Sequence, residues 1–61
     1  MYELSDFQPG QRVQLHPASD LWMRGARYGT VVRAGRQWVL VNLDMTGLIH
    51  AIEPKDIAEI L

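Results

Sequence analysis

Short runs of alternating or β-branched residues, separated by turn residues, make up nearly the whole chain. Tyr28–Ala34 and Gln37–Leu43 are two such runs, joined by a turn at Gly35-Arg36, and both are rich in Val, Leu and aromatic residues. Such residues suit a pleated, half-buried surface, and the pair predicts a hairpin on which the rest of the chain is organised. Before it, Gln11–His16 alternates, with Val13 and Leu15 on one face and Arg12, Gln14 and His16 on the other, predicting a first strand. The second strand is read as Arg27–Ala34, and Gly29 within it marks a bulge or a close backbone approach. In the third, Val39, Val41 and Leu43 alternate with Trp38, Leu40 and Asn42, so a valine-lined core face turns Trp38 and Leu40 outward. Leu48–Ile52 and Ile57–Leu61 supply the fourth and fifth strands.

The connections carry their own signals. Pro9-Gly10 is a turn, and Pro17 stops the first strand by removing a ladder donor. Ser19 and Asp20 are good N-caps for one helical turn, Leu21–Arg24, closed by Gly25. Residues 17–26 therefore form a long, partly ordered loop. Asp44-Met45-Thr46-Gly47 is a hairpin turn in which Gly47 takes positive φ, and Pro54 starts a single 3-10 turn over Glu53–Asp56. Residues 1–8 read as an arm whose apolar Tyr2, Leu4 and Phe7 pack across the barrel or onto a neighbour.

Together these elements predict an all-β domain at 9–61: a five-stranded SH3-like barrel with a long first loop and a 3-10 turn before the last strand. An OB-type barrel is the alternative, but it needs more residues and a helix between strands three and four.

Composition narrows what such a domain can do. With 61 residues and no cysteine, the core must hold the chain unaided or be extended by self-association. Met1–Asp6 is acidic rather than leader-like, and no apolar run reaches the roughly 20 residues of a membrane span, so a soluble cytoplasmic protein is expected. The net charge of −1 conceals an asymmetry. Residues 12–36 carry Arg12, Arg24, Arg27, Arg33 and Arg36 against Asp20 alone, while residues 37–61 carry Lys55 against Asp44, Glu53, Asp56 and Glu59. Arginine suits bidentate and stacked contacts, so the first segment predicts a basic face for phosphate or an acidic partner. The competing account is a solvated surface whose arginines pair with nearby carboxylates.

Candidate chemistry is sparse. Neither Ser5 nor Ser19 sits in a nucleophile elbow, no glycine loop has phosphate-cradling spacing, and His16 and His50 are too few for a metal cage in one chain. His16 and Asp20 could form a hydrogen-bonded pair, although Asp20 serves equally as the helix cap. No catalytic residue, metal or cofactor is therefore assigned. The binding candidates are Arg24, Arg27, Arg33 and Arg36 with Trp22, Tyr28 and Trp38, which could form an aromatic platform flanked by guanidinium groups. Structural roles compete: Trp22 would pin the long loop, Tyr28 would cover the core edge, and Trp38 would serve self-association or pack under the N-terminal arm. Nucleic acid and protein are both candidate partners, and a homo-oligomer is expected.

The stretch Pro9-Gly10-Gln11-Arg12-Val13, followed by Arg24-Gly25-Ala26-Arg27-Tyr28-Gly29-Thr30-Val31-Val32, resembles the KOW and Tudor-like branch of SH3-like barrels over roughly residues 9–43. It is also similar to small SH3-like proteins of bacteriophages and mobile elements. The resemblance implies nucleic-acid or ribonucleoprotein contacts on the loops near Arg24, Arg27 and Arg36; the acidic C-terminal half departs from it. A second resemblance, to type II dihydrofolate reductases, would imply a pore enzyme built from four subunits. Their Val-Gln-Ile-Tyr strand corresponds to Leu48-Ile49-His50-Ala51-Ile52 here, which lacks the Gln and the Tyr, so no cofactor or folate contact carries over.

Overall fold

β1 and β3 alternate between buried and outward side chains, and that alternation sets the architecture. In the computed structural model, which describes residues 1–61, the strands are β1 (Arg12–Leu15), β2 (Tyr28–Ala34), β3 (Val39–Leu43), β4 (Ile49–Ile52) and β5 (Ile57–Ile60). They form one antiparallel sheet in the order β4-β3-β2-β1-β5. The protein is all-β, as the pattern predicts. Its extents of 26 × 22 × 20 Å are nearly equal, whereas a flat sheet with side chains would be only about 10 Å thick. Ile52 of β4 and Ile57 of β5, on the two outermost strands, belong to one core cluster, so the sheet curves about that core. No ladder joins β4 to β5, so these two strands remain edges.

The core is made by Val13 and Leu15 of β1, Val31 of β2, Val39, Val41 and Leu43 of β3, and Ile52, Ile57, Ala26 and Phe7. Burying each of the larger side chains stabilises the fold by about 1.5–3 kcal/mol. Phe7 comes from the N-terminal arm. There Leu4–Asp6 makes one 3-10 turn closed by a capping box between Glu3 and Asp6, and Tyr2 meets Phe7 edge-on at 5.8 Å. The arm packs on its own sheet. Its Tyr2 hydroxyl accepts a hydrogen bond from the Ile60 N–H on β5 (3.1 Å).

Local details refine the expected elements. The helix, α1, is Asp20–Met23, and its cap is Ser19, whose hydroxyl accepts from the Trp22 N–H at 3.2 Å; Asp20 is the first helical residue. His16 does not pair with Asp20, because its Nδ1 accepts from the Ala18 N–H at 3.0 Å. The bulge in β2 falls between Val31 and Arg33 instead of at Gly29. Gly29 is the close-approach position: a Cβ there would lie 2.5 Å from Val41 Cγ1 and 2.8 Å from the Asn42 carbonyl oxygen. Gly47 has φ +70° in the turn before β4, which a side chain would oppose. Pro54–Asp56 forms the 3-10 turn leading into β5. No helix is long and apolar enough to cross a membrane.

A candidate arginine and tryptophan surface

Five arginines in one half of the chain raise the question of which are neutralised by partners. Arg12 alone is paired with a carboxylate. Its two terminal nitrogens donate to Asp44 at 2.7 and 2.6 Å, and one donates as well to the Thr30 hydroxyl at 3.0 Å. Register explains the meeting: Arg12 opposes Thr30 and Thr30 opposes Asn42 on the outer face, which brings Arg12 near the β3 end that carries Asp44. These hydrogen bonds, and to a lesser degree the charge of Arg12, hold the Asp44 carboxyl below its usual range, against the opposing cost of desolvation.

A carboxyl whose folded-state pKa is depressed adds stability above its unfolded value, and that stability is lost as pH falls through the folded value. The stability gap between the wild type and Asp44→Asn is therefore expected to be fully open above the usual carboxylate range and to close as pH falls below it. Urea melts above and below that range measure it, and a gap independent of pH would remove the pair from the account.

The remaining basic candidates divide by position. Arg27 and Trp22 form one cluster, with the guanidinium carbon 4.0 Å from the indole centroid. Trp22 is half-buried and packs against the core, so it pins the loop while one ring face is taken by Arg27. Such a stack contributes about 0.5–1 kcal/mol at an exposed site. Arg24, exposed, caps the C-terminus of α1 in the same segment. Tyr28 stands apart on the outer face, 43% exposed and opposite Gln14.

Arg33, Arg36 and Trp38 meet at the other end of β2, roughly 20 Å along the strand from Arg27. The bulge at Val32 resets the alternation so that Arg33 points outward, directly opposite Leu40. Trp38 precedes β3 and is 43% exposed; its carbonyl accepts from the Gly35 N–H at 2.8 Å, which fixes the hairpin turn. Arg33, Ala34, Gly35, Arg36, Trp38 and Leu40 line an open groove of about 560 Å³. The ion pairs of the molecule involve only Arg12 and Lys55, so Arg33 and Arg36 flank the indole without a carboxylate partner.

The seven residues singled out in the sequence thus form two separated clusters and one isolated tyrosine. The outward facing of Trp38 and Leu40 agrees with the alternation. A second groove, of about 450 Å³, shares Trp38 with the first and is otherwise lined by Met1, Tyr2, Gln37, Glu53, Pro54 and Lys55. The sequence placed the arm across the barrel and Trp38 beneath it as one alternative; what it did not indicate is that Glu53, Pro54 and Lys55 share this groove. The histidines stand alone: His50 Nε2 lies 3.4 Å from the Thr46 hydroxyl, and no three His, Asp or Glu side chains converge as a metal-binding group. No family model, curated protein or solved structure matches the chain.

Proposed function

We propose that the protein is a non-enzymatic binding module of the cytoplasm that contacts single-stranded nucleic acid through the groove between Arg33, Arg36 and Trp38. The observation that carries this reading is the pair of guanidinium groups without carboxylate partners beside a half-exposed indole. Guanidinium groups bind phosphate oxygens bidentately, and an indole face stacks on any base. Arg24 and the Arg27–Trp22 stack would extend the path as a second phosphate-contacting point. The charge asymmetry supports the same direction, since Lys55 on the acidic side lies 3.7 Å from Glu53 and 4.0 Å from Asp56.

Titration with short single- and double-stranded oligonucleotides, followed by tryptophan fluorescence at two salt concentrations, tests the proposal. The expected result is quenching by single strands with an affinity that falls steeply as salt rises. No change at low salt with either oligonucleotide would overturn the nucleic-acid reading and leave a protein partner for the same groove. An assembly subunit without any ligand is the second reading, favoured by the exposure of Trp38 beside Leu40. In that case Trp38→Ala would split the oligomer.

A further inference from the structure

The two edges of the sheet are treated differently. On β5, the Ile60 N–H points away from β1 and is capped by the Tyr2 hydroxyl at 3.1 Å, and the strand carries a charge, Glu59. On β4, the sequence Ile49-His50-Ala51-Ile52 has no charged residue and no proline, and nothing caps it. Leu48 and Ile49 are 63% and 56% exposed. Bare apolar edges of this kind are what sheets ordinarily guard against, because they template further pairing.

The hydrogen-bond phase of β3 shows which groups β4 leaves free. Leu43 donates to the Leu48 carbonyl, while Asp44 donates to Tyr28 and the Trp38 carbonyl accepts from Gly35. Odd positions of β3 thus bond to β4 and even positions to β2. In the observed register Val41 faces His50 and Val39 faces Ile52. The alternation of an antiparallel ladder then turns the N–H and C=O groups of Ile49 and Ala51 toward the open edge.

We infer that β4 pairs with β4 of a second copy of this chain across a two-fold axis at His50. That register is self-complementary in three respects. Ile49 lies opposite Ala51 of the second copy and the reverse, so the four free N–H and C=O groups of each strand are matched. A large side chain falls beside a small one on the outer face, and with Leu40, which opposes Ala51 within the sheet, they form one apolar strip shared by both copies. Leu48 lies opposite Ile52 of the second copy and Glu53 opposite Gly47, so no Asp, Glu, Lys or Arg meets its like, and His50 alone meets its own copy at the axis. The backbone groups could pair with any strand, but the apolar side chains of Ile49 and Ala51 disfavour a charged one and suit a second copy. The result is a continuous ten-stranded sheet, independent of any ligand in the Trp38 groove.

Sedimentation equilibrium from micromolar to millimolar protein tests this, with the mass expected to rise from 7.0 kDa toward twice that value. Ala51→Pro deletes an N–H that faces the edge and leaves the β3 ladder intact, so it should remain folded by circular dichroism and stay monomeric. Ile49→Lys alters only an exposed side chain and should raise the dissociation constant at least tenfold; it stands in if the proline variant does not fold. Because the chain has no cysteine, His50→Cys should oxidise to a cross-linked dimer, whereas Glu59→Cys on the other edge should not. A wild type that stays at 7.0 kDa to millimolar concentration overturns the proposal. So does a dimer that survives Ile49→Lys and is dissolved by Trp38→Ala.

Discussion

Gly29→Ala is expected to destabilise the protein by about 3 kcal/mol, since of the five glycines it has the tightest surroundings for a Cβ. The added Cβ would sit 2.5 Å from Val41 Cγ1, 2.8 Å from the Asn42 carbonyl oxygen and 3.3 Å from Leu43 Cδ2. None of these neighbours can yield cheaply. Val41 and Leu43 are fully buried, and Asn42 is held in register between Thr30 and Ile49. In a strand, replacing Gly by Ala would otherwise help by up to about 1 kcal/mol, so overpacking must outweigh a favourable backbone term. A domain of this size has a total stability of roughly 3–9 kcal/mol. The variant would therefore lose a third or more of its stability, readable as a lower urea midpoint with an unchanged slope. Combined with Val41→Ala, which is itself costly at a fully buried position, the two losses should be less than additive, since one clash is removed while that with the Asn42 oxygen persists. A neutral Gly29→Ala would mean that β2 and β3 are further apart than described.

Trp38→Ala and the double change Arg33→Ala with Arg36→Ala are expected to weaken oligonucleotide binding in distinguishable ways. Loss of the indole removes a stacking contact worth roughly 1–3 kcal/mol, which is about a 5- to 150-fold loss of affinity at every salt concentration. Loss of both guanidinium groups removes two phosphate contacts, so the slope of log affinity against log salt should become shallower by about 1.4. The same double change should leave stability nearly untouched, because both side chains are exposed and neither is in an ion pair. Equal salt slopes in wild type and double variant would remove Arg33 and Arg36 from the interface and move attention to Arg24 and Arg27.

Strand positions were legible in the sequence because period-2 alternation and turn residues are local signals. Val13 and Leu15, or Val39, Val41 and Leu43, announce a buried face within four or five residues. Other features depend on distant partners. The bulge at Val32 arises where β2 must bend against β3, and nothing in Val31-Val32-Arg33 distinguishes it from regular strand. Gly29 carried a signal with two meanings, and only the nearness of Val41 and Asn42 selects close approach. The candidate surface was less legible than the fold. Arginines and aromatics could be listed, but which of them meet depends on strand length and facing, so Arg27 and Arg36 lie at opposite ends of β2. Arg12 could not be separated from the others by composition, since its partner Asp44 lies 32 residues away.

The hydrogen bond from Ile60 to Tyr2 joins residues 58 apart, and β1 must receive β5 from the far end of the chain after pairing with β2. The β2–β3–β4 meander needs only short loops, whereas docking β5 and the arm closes nearly the whole chain. Folding is therefore expected to end with the two termini. Until they dock, the outer side of β1 takes the place of β5 as the second open edge, so the time spent waiting for the last strand sets how long the chain is exposed to pairing with the wrong neighbour.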